Sequence, residues 1–125
     1  MRGDIVYLEL ALTNVEETLS LYKEAFKWKI TQSYLSTQLY YMFDTPSGGI
    51  TGGFDANRIP SDEGVLIYLE SENLDLMLET IQKNHTSVNV VQGKTYLSKE
   101  YGSFAIIKDP SGNKIGLFES SMYRR

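Results

Sequence analysis

Residues 109–119 read DPSGNKIGLFE, and this stretch decides the fold. It predicts a tight turn leading into a short strand that ends on a carboxylate, because Pro110 presets φ and Gly112 tolerates the exit geometry. A similar stretch, TPSGGITGGFD, occupies residues 45–55. Five of the eleven positions match: Pro46/Pro110, Ser47/Ser111, Gly48/Gly112, Gly52/Gly116 and Phe54/Phe118. At about one chance match in fifteen positions, fewer than one is expected, so the chain is predicted to be a tandem duplication.

The segment before each turn shows the same order of hydrophobic periodicities. Residues 5–12 alternate as in a strand, Val15 to Phe26 follow helical spacing, and further strand-like runs precede and follow the turn. The pattern restarts at Val65, after an aperiodic connection over residues 56–64. The sequence therefore predicts one α+β domain over residues 1–125, with repeat one at about 4–55 and repeat two at about 64–120.

Local signals refine the two predicted helices and one loop. Thr13 and Glu16 form a capping-box pattern, Ser71 or Asn73 is expected to cap the second helix, and Asn84 is a plausible left-handed end. Helix and turn alignments differ by five residues, so repeat two has an insertion within residues 92–102. That insertion is either a lid or a tolerated surface loop.

The composition excludes several classes of function. The 125 residues carry a net charge of −4 with no basic stripe, so nucleic acid is not an expected partner. No apolar run is long enough to span a membrane, and strand-like alternation from Ile5 leaves no room for a signal peptide. The absence of cysteine excludes disulfides and thiolate chemistry. We expect a cytoplasmic protein.

Three stretches carry a family resemblance. The βαβββ repeat, the DPSGN turn with its GLFE ending and the helix end LYKEAFKW at residues 21–28 together resemble the vicinal oxygen chelate superfamily. This superfamily includes glyoxalase I, bleomycin-resistance proteins and extradiol dioxygenases, and residues 102–110 are similar to its glyoxalase-like subgroup. The resemblance implies a curved eight-stranded mixed sheet that forms a cup, with the helices outside.

The resemblance also implies where a metal would bind in metal-dependent members. The corresponding positions here are Tyr7, Asp55, Leu66 and Glu119. Leu66 cannot ligate, and a neutral tyrosine is a poor ligand near pH 7 because its pKa lies near 10. Two carboxylates fall short of the three protein ligands typical of catalytic zinc. No metal cofactor is expected, and Asp55 and Glu119 remain weak candidates for a hard cation.

Strand parity predicts the residues of a ligand site. Residues 6, 8, 10 and 12 are aliphatic and should face a helix, so Tyr7 and Glu9 should face the cup, and the alternation of residues 65–70 places Tyr68 there too. The resemblance implies that Glu119 also faces the cup. Tyrosine rings could stack on a ligand, while the acids could hold a cationic or hydrogen-bonding group or simply bond to neighbours. By the same parity Phe118 should be core, and the lone His85 reads as a solvated loop residue.

Two functions remain open from the sequence. The first is a protein that binds a small organic molecule in the cup without a catalytic metal, as the missing ligands favour. The alternative is a metal-dependent lyase, isomerase or dioxygenase of the same superfamily. The family resemblance and the nine tyrosines, which suit an interface, predict a homodimer.

Overall fold

The computed structural model describes residues 2–34 and 39–120. The order β–α–β–β–β occurs twice. Repeat one contains β1 (Tyr7–Ala11), α1 (Val15–Glu24), β2 (Lys29–Gln32), β3 (Tyr40–Asp44) and β4 (Thr51–Asp55). Repeat two contains β5 (Tyr68–Glu70), α2 (Leu74–Asn84), β6 (Asn89–Ser98), β7 (Gly102–Lys108) and β8 (Lys114–Glu119). The α+β class and the repeat order follow the prediction.

The two repeats build sheets of identical topology. The strand orders are β1-β4-β3-β2 and β5-β8-β7-β6, with the first strand of each repeat parallel to its last. The remaining neighbours are antiparallel. No ladder joins the two sheets within the described ranges, so the expected eight-stranded sheet is two four-stranded sheets that form an open cup.

Each sheet packs one face against its own helix. In repeat one the buried side chains on this face are mainly aromatic: Tyr22, Phe26, Trp28, Phe43 and Phe54. Trp28 stacks on Phe43 at 4.3 Å between ring centroids. In repeat two the buried side chains are mainly aliphatic: Leu74, Ile81, Val88, Ile107, Ile115 and Leu117. The space between sheet and helix is therefore filled by aromatic side chains in repeat one and by aliphatic side chains in repeat two.

The two last strands are shifted by one residue relative to their turns. Both turns have a glycine with positive φ at the matched position, Gly48 at 70° and Gly112 at 95°. On the following strand, however, Phe54 is paired with the partly buried Tyr41, and Leu117 is paired with the buried Ala105. Leu117 is thus the structural counterpart of Phe54. Phe118 faces away from the helix and is only partly buried, so its prediction as core was wrong.

The helix ends differ from the prediction by one or two residues. Asn14, not Thr13, caps α1 and accepts from the Glu17 N–H at 3.3 Å. Asn73 caps α2, and the helix ends at Asn84 without a left-handed residue. Among the described non-glycine residues Lys27 alone has positive φ, at 62°, directly after the first helix.

The insertion in repeat two is ordered strand rather than loop. It lies in the hairpin of β6 and β7, where register shifts between Val90 and Ser98 mark bulges in the ladder. Extra residues are absorbed because bulges insert unpaired residues without ending a strand. The hairpin's backbone is therefore paired to β7, which disfavours the lid interpretation.

The DPSGN turn joins the two repeats. The Asn113 side chain bonds both backbone groups of Ala11, at 3.2 and 2.9 Å, and the Ser111 hydroxyl accepts from the Thr13 N–H at 3.0 Å. Tyr22 on α1 donates to Asp109 at 2.8 Å. The stretch that reveals the fold in the sequence thus anchors repeat two on the start of repeat one.

The single histidine is buried rather than solvated. The His85 side chain is 5% exposed, and its Nε2 lies 4.0 Å from the carboxylate of Glu24.

None of the helices in the described ranges is long and apolar enough to cross a membrane.

Candidate functional site

We call the face of each sheet that is turned away from its helix the open face. Alternation along the strands places Tyr7 and Glu9 of β1, Tyr40 of β3 and Gly53 of β4 on the open face of the first sheet. Tyr68 of β5 lies on the open face of the second sheet. Tyr7 is 41% exposed and Tyr68 49% exposed, so both rings are accessible to a ligand.

A chain of hydrogen bonds runs across the first open face. Tyr40 donates its hydroxyl proton to Glu9 Oε2 at 2.8 Å, and the Tyr7 and Tyr40 hydroxyl oxygens are 2.7 Å apart. A hydroxyl has one proton to donate, so Tyr7 must donate to Tyr40. The oxygen of Tyr7 is left with acceptor capacity at the end of the chain.

The second oxygen of Glu9 is paired with a cation. Arg58 Nη2 lies 3.1 Å from Glu9 Oε1, and the side chains are 52% and 29% exposed. The carboxylate of Glu9 therefore has partners on both oxygens. Arg58 retains further N–H donors in its guanidinium group. The combination presents a donor, Arg58, and an acceptor, Tyr7, rather than an unpaired negative charge.

Tyr40 cannot act as a base in this arrangement. Burial, followed by the hydrogen bonds to Tyr7 and Glu9, raises the pKa of Tyr40 well above its ordinary value. Its hydroxyl stays protonated at physiological pH and supplies no negative charge. It donates to Glu9 and accepts from Tyr7, so it links the positions of these two side chains.

The open face of the second sheet is aromatic. The Tyr68 and Phe104 rings meet edge to face, with centroids 6.3 Å apart and an interplanar angle of 74°. Phe118 of β8 is paired in register with Phe104 of β7, so these side chains emerge side by side from the same face. Three aromatic rings thus offer apolar area for a planar ligand.

One glycine lies beneath a tyrosine on each open face. A Cβ on Gly53 would collide with the ring and hydroxyl of Tyr40, and a Cβ on Gly116 would collide with the ring of Tyr68. The two glycines occupy equivalent positions, because they directly precede Phe54 and its counterpart Leu117. The absence of a side chain on these glycines lets both tyrosine rings approach the backbone of the sheet closely.

Glu119 does not belong to either open face, contrary to the prediction. It is 2% exposed and accepts the backbone N–H of Leu74 at 2.6 Å, at the start of α2. It shares its side of β8 with Ile115 and Leu117, which pack against the helix. An acid is favourable there because a helix N-terminus carries unpaired N–H groups and a partial positive charge. Glu119 is a capping residue.

The carboxylates expected to bind a cation are not brought together. Asp55 lies at the end of β4, where its Oδ1 accepts the Asn57 N–H at 2.9 Å, whereas Glu119 faces α2 on the other sheet. In the part of the chain that the structure describes, no three His, Cys, Asp or Glu side chains form a group that could hold a metal. The donor set described here does not fit a catalytic metal.

Sequence reasoning missed four residues of these faces, one of which, Phe118, was expected in the core. Tyr40 and Phe104 lie on strands to which the parity argument was not applied, and Arg58 lies in the connection between the repeats. The signal for Tyr40 was available: β3 reads YYMFD, and the alternation of Tyr41 and Phe43 toward the core leaves Tyr40 on the other side.

The chain consists of two βαβββ units, each with one sheet face turned away from its helix. This repeated architecture is typical of a class of proteins in which the two sheets form a cup. The family model of the Glyoxalase/Bleomycin resistance protein/Dioxygenase superfamily matches residues 4–117. The chain belongs to this superfamily, which confirms the family resemblance. No curated protein matches the chain in sequence.

Solved structures share the fold at low sequence identity. A hypothetical protein from S. aureus, SA1046, is 20% identical, with a TM-score of 0.69 over 95% of this chain and 98% of its own. TnmS3, an antibiotic binding protein from Streptomyces sp. CB03234, is 18% identical, with a TM-score of 0.70 over 96% and 98%. The fosfomycin resistance protein FosX from Listeria monocytogenes is 14% identical, with a TM-score of 0.72 over 99% and 97%.

Proposed function

We propose that this protein binds a small organic molecule in the cup between the open faces of its two sheets, without a catalytic metal. The observation that carries the proposal is the division of chemistry between the faces. One face ends in a donor and an acceptor, Arg58 and Tyr7, and the other carries the rings of Tyr68, Phe104 and Phe118. Small-molecule sites commonly combine apolar walls with a few placed polar groups.

The partners of Glu9 favour a hydrogen-bonding ligand over one that would need Glu9 as a counter-charge. Glu9 is paired with Arg58 and Tyr40, so it cannot serve as a free counter-charge for a cationic ligand. Arg58 instead has spare N–H groups for a carbonyl or acidic oxygen, and the Tyr7 oxygen can accept from a ligand hydroxyl. The ligand class that meets both is an aromatic molecule with carbonyl and hydroxyl groups.

The superfamily gives the proposal a starting set of compounds. TnmS3 is an antibiotic binding protein and FosX is a fosfomycin resistance protein, and both have the fold of this chain. Antibiotics with planar aromatic cores are therefore the first compounds to screen. Fosfomycin is a useful contrast because its lack of an aromatic ring should make it a poor ligand for the Tyr68 face.

A thermal-shift screen in the presence and absence of EDTA tests the proposal. One ligand at a hundredfold excess over its Kd stabilises the folded state by about 2.7 kcal/mol, so a specific ligand raises the melting temperature measurably. The shift should persist in EDTA and should weaken in Tyr68→Ala and in Arg58→Gln. Glu63→Gln, an exposed acid in the connection, is the matched control. Ligands whose shift disappears with EDTA, or survives both variants unchanged, would contradict the proposal.

A further inference from the structure

The polar and the aromatic open face differ at one pair of equivalent positions by a single hydroxyl group. Tyr40 of β3 is paired with the residue after Phe54, and Phe104 of β7 is paired with the residue after Leu117. Since Phe54 and Leu117 are counterparts, Tyr40 and Phe104 occupy equivalent positions in the two repeats. Repeat two therefore shows that a phenylalanine ring can occupy this position on an open face.

The Tyr40 hydroxyl fixes which hydrogen-bonding group Tyr7 offers to a ligand. Glu9 is a carboxylate paired with Arg58 at 3.1 Å, so it accepts the proton of Tyr40 at 2.8 Å and donates none. The oxygen of Tyr40, 2.7 Å from that of Tyr7, then accepts the proton of Tyr7. Because this proton is used within the protein, Tyr7 presents lone pairs to a ligand and no donor.

The surroundings of Tyr40 hold its hydroxyl in this role. Its ring and hydroxyl lie against Gly53, where a Cβ would collide with both, and its strand β3 is paired with β4 and β2 on its two sides. Burial, and then the hydrogen bonds to Tyr7 and Glu9, raise the pKa of Tyr40, so its proton stays in the chain of hydrogen bonds at neutral pH. The direction of these bonds is therefore built into the first sheet.

We propose that Tyr40 is a positioning residue that sets the specificity of the cup: through Tyr7 it selects ligands with a hydroxyl donor at this point and rejects those with only an acceptor. This role rests on the proposed function, since it needs a ligand in the cup. An ether oxygen placed here would face the lone pairs of Tyr7 and lose its hydrogen bonds to water without gaining a partner. A ligand hydroxyl instead donates to the same oxygen.

Three aromatic acids that differ in one substituent test this role. 6-Hydroxy-2-naphthoate carries a donor, 6-methoxy-2-naphthoate carries only an acceptor, and 6-ethyl-2-naphthoate has the shape of the methoxy compound with neither. All three have a carboxylate for Arg58 and a flat ring system for the aromatic face. Isothermal titration calorimetry with the full-length protein at neutral pH gives their Kd values. The wild type should bind the hydroxy compound roughly three- to tenfold more tightly than the methoxy compound, and the methoxy compound no more tightly than the ethyl compound.

Tyr40→Phe introduces the residue that repeat two has at the equivalent position, and it frees the proton of Tyr7. The methoxy compound should then gain roughly three- to tenfold in affinity relative to the ethyl compound. Space left by the lost hydroxyl would help both compounds alike, so the change in their ratio reports the hydrogen bond. Tyr96→Phe is the matched control, because Tyr96 is an exposed phenol paired with Ser103, on the other side of the second sheet from Phe104. It should keep the wild-type ratios.

Two further variants separate this role from the ligand site as a whole. Tyr7→Phe removes the acceptor and should abolish the advantage of the hydroxy compound, even if Tyr40→Phe folds poorly. Tyr68→Ala should weaken all three compounds by a similar factor. Equal wild-type affinities for the hydroxy and methoxy compounds, or an unchanged ratio of methoxy to ethyl binding in Tyr40→Phe, would overturn the role of Tyr40 and leave the proposed function standing. Saturable binding of none of the three compounds would overturn both.

Discussion

Two neighbouring residues of β8 point to opposite sides of the second sheet. Leu117 is fully buried beneath α2, whereas Phe118 is partly exposed on the open face. Leu117→Ala should therefore lower the free energy of unfolding by about 2–5 kcal/mol because it opens a cavity in the core. Phe118→Ala should cost about 1 kcal/mol, since the lost ring is partly solvated. Urea denaturation of both variants measures the difference.

This pair also tests the strand's orientation. If Phe118→Ala proved the more destabilising change, the phenylalanine rather than the leucine would be the core residue of β8. Phe104→Ala is the companion variant, because Phe104 lies opposite Phe118 on the same face. It should resemble Phe118→Ala in stability, and both variants should weaken the binding of a ligand in the cup.

Glu119 is expected to matter for stability and not for ligand binding. Its carboxylate caps the first N–H of α2, so Glu119→Gln should lower the free energy of unfolding by about 1 kcal/mol through loss of charge at the helix N-terminus. Glu79→Gln, in the exposed middle of the same helix, should change it little. Thermal denaturation checks the stability, and any cup ligand should show the same Kd in wild type and Glu119→Gln.

At the scale of elements, α1 and the turn before β8 are joined by a buried hydroxyl. Tyr22 donates to Asp109, whose carboxylate also accepts from the backbone of Ser111 and Asn113. Burial, and then the nearby Asp109, raise the pKa of Tyr22 well above its usual 10. Burial likewise raises the pKa of Asp109, although these hydrogen bonds oppose that shift.

This contact predicts a loss of stability in alkali. The pKa of Tyr22 is higher in the folded than in the unfolded state, so its contribution is fully present below about pH 10. Above that pH the unfolded chain releases the proton first, and stability falls. Tyr22→Phe should lower the free energy of unfolding by about 1–3 kcal/mol at neutral pH, since Asp109 loses a buried donor.

The measurement is the melting temperature between about pH 8 and 11. The wild type should lose stability more steeply than Tyr22→Phe as the pH rises, because the variant has no phenol to ionise at this position. Tyr34→Phe is the control, since Tyr34 is 82% exposed. Parallel pH profiles for wild type and Tyr22→Phe would show that the buried hydroxyl does not govern alkaline stability.

Local chemistry explains which elements could be predicted. The turns at residues 45–48 and 109–112 are set by proline and glycine, and the helices by apolar spacing, so all of them appear where the sequence places them. The parity of β8 depends on one residue fewer between turn and strand in repeat two than in repeat one. A one-residue shift moves every side chain of a strand to the opposite face. For this reason Phe118 was wrongly expected in the core and Glu119 was wrongly expected in the cup.

The candidate site was predictable only in part for the same reason. Tyr7, Glu9 and Tyr68 lie on strands whose alternation is unambiguous, and their placement on the open faces agrees with the parity argument. Arg58 comes from a connection with no periodicity, so no pattern could aim it at Glu9. Of the two kinds of ligand expected from the sequence, cationic or hydrogen-bonding, this pairing favours the hydrogen-bonding one in the proposed function.

At the scale of the whole molecule, the first strand of each repeat leaves an edge. Among the described strands β1 pairs with β4 and β5 with β8, so each has one unpaired side. Apolar side chains beside these edges are strongly exposed: Val6 by 75% and Val65 by 83%. Exposed edges with apolar neighbours favour association, because unpaired backbone groups and apolar area are both satisfied by another chain.

We therefore expect a homodimer in which a second copy covers these edges. Duplication makes the two edges alike, so β1 of one copy can lie beside β5 of the other and the reciprocal contact closes a two-fold dimer. Sedimentation velocity should give twice the mass of the chain.

The double variant Val6→Lys/Val65→Lys should shift the protein toward the monomer, because burying two lysines at the interface is costly. Val91→Lys, on exposed β6 away from these edges, should remain dimeric. A wild-type protein that stays monomeric at every concentration would contradict the dimer, and a dimer that survives the double substitution would place its interface elsewhere.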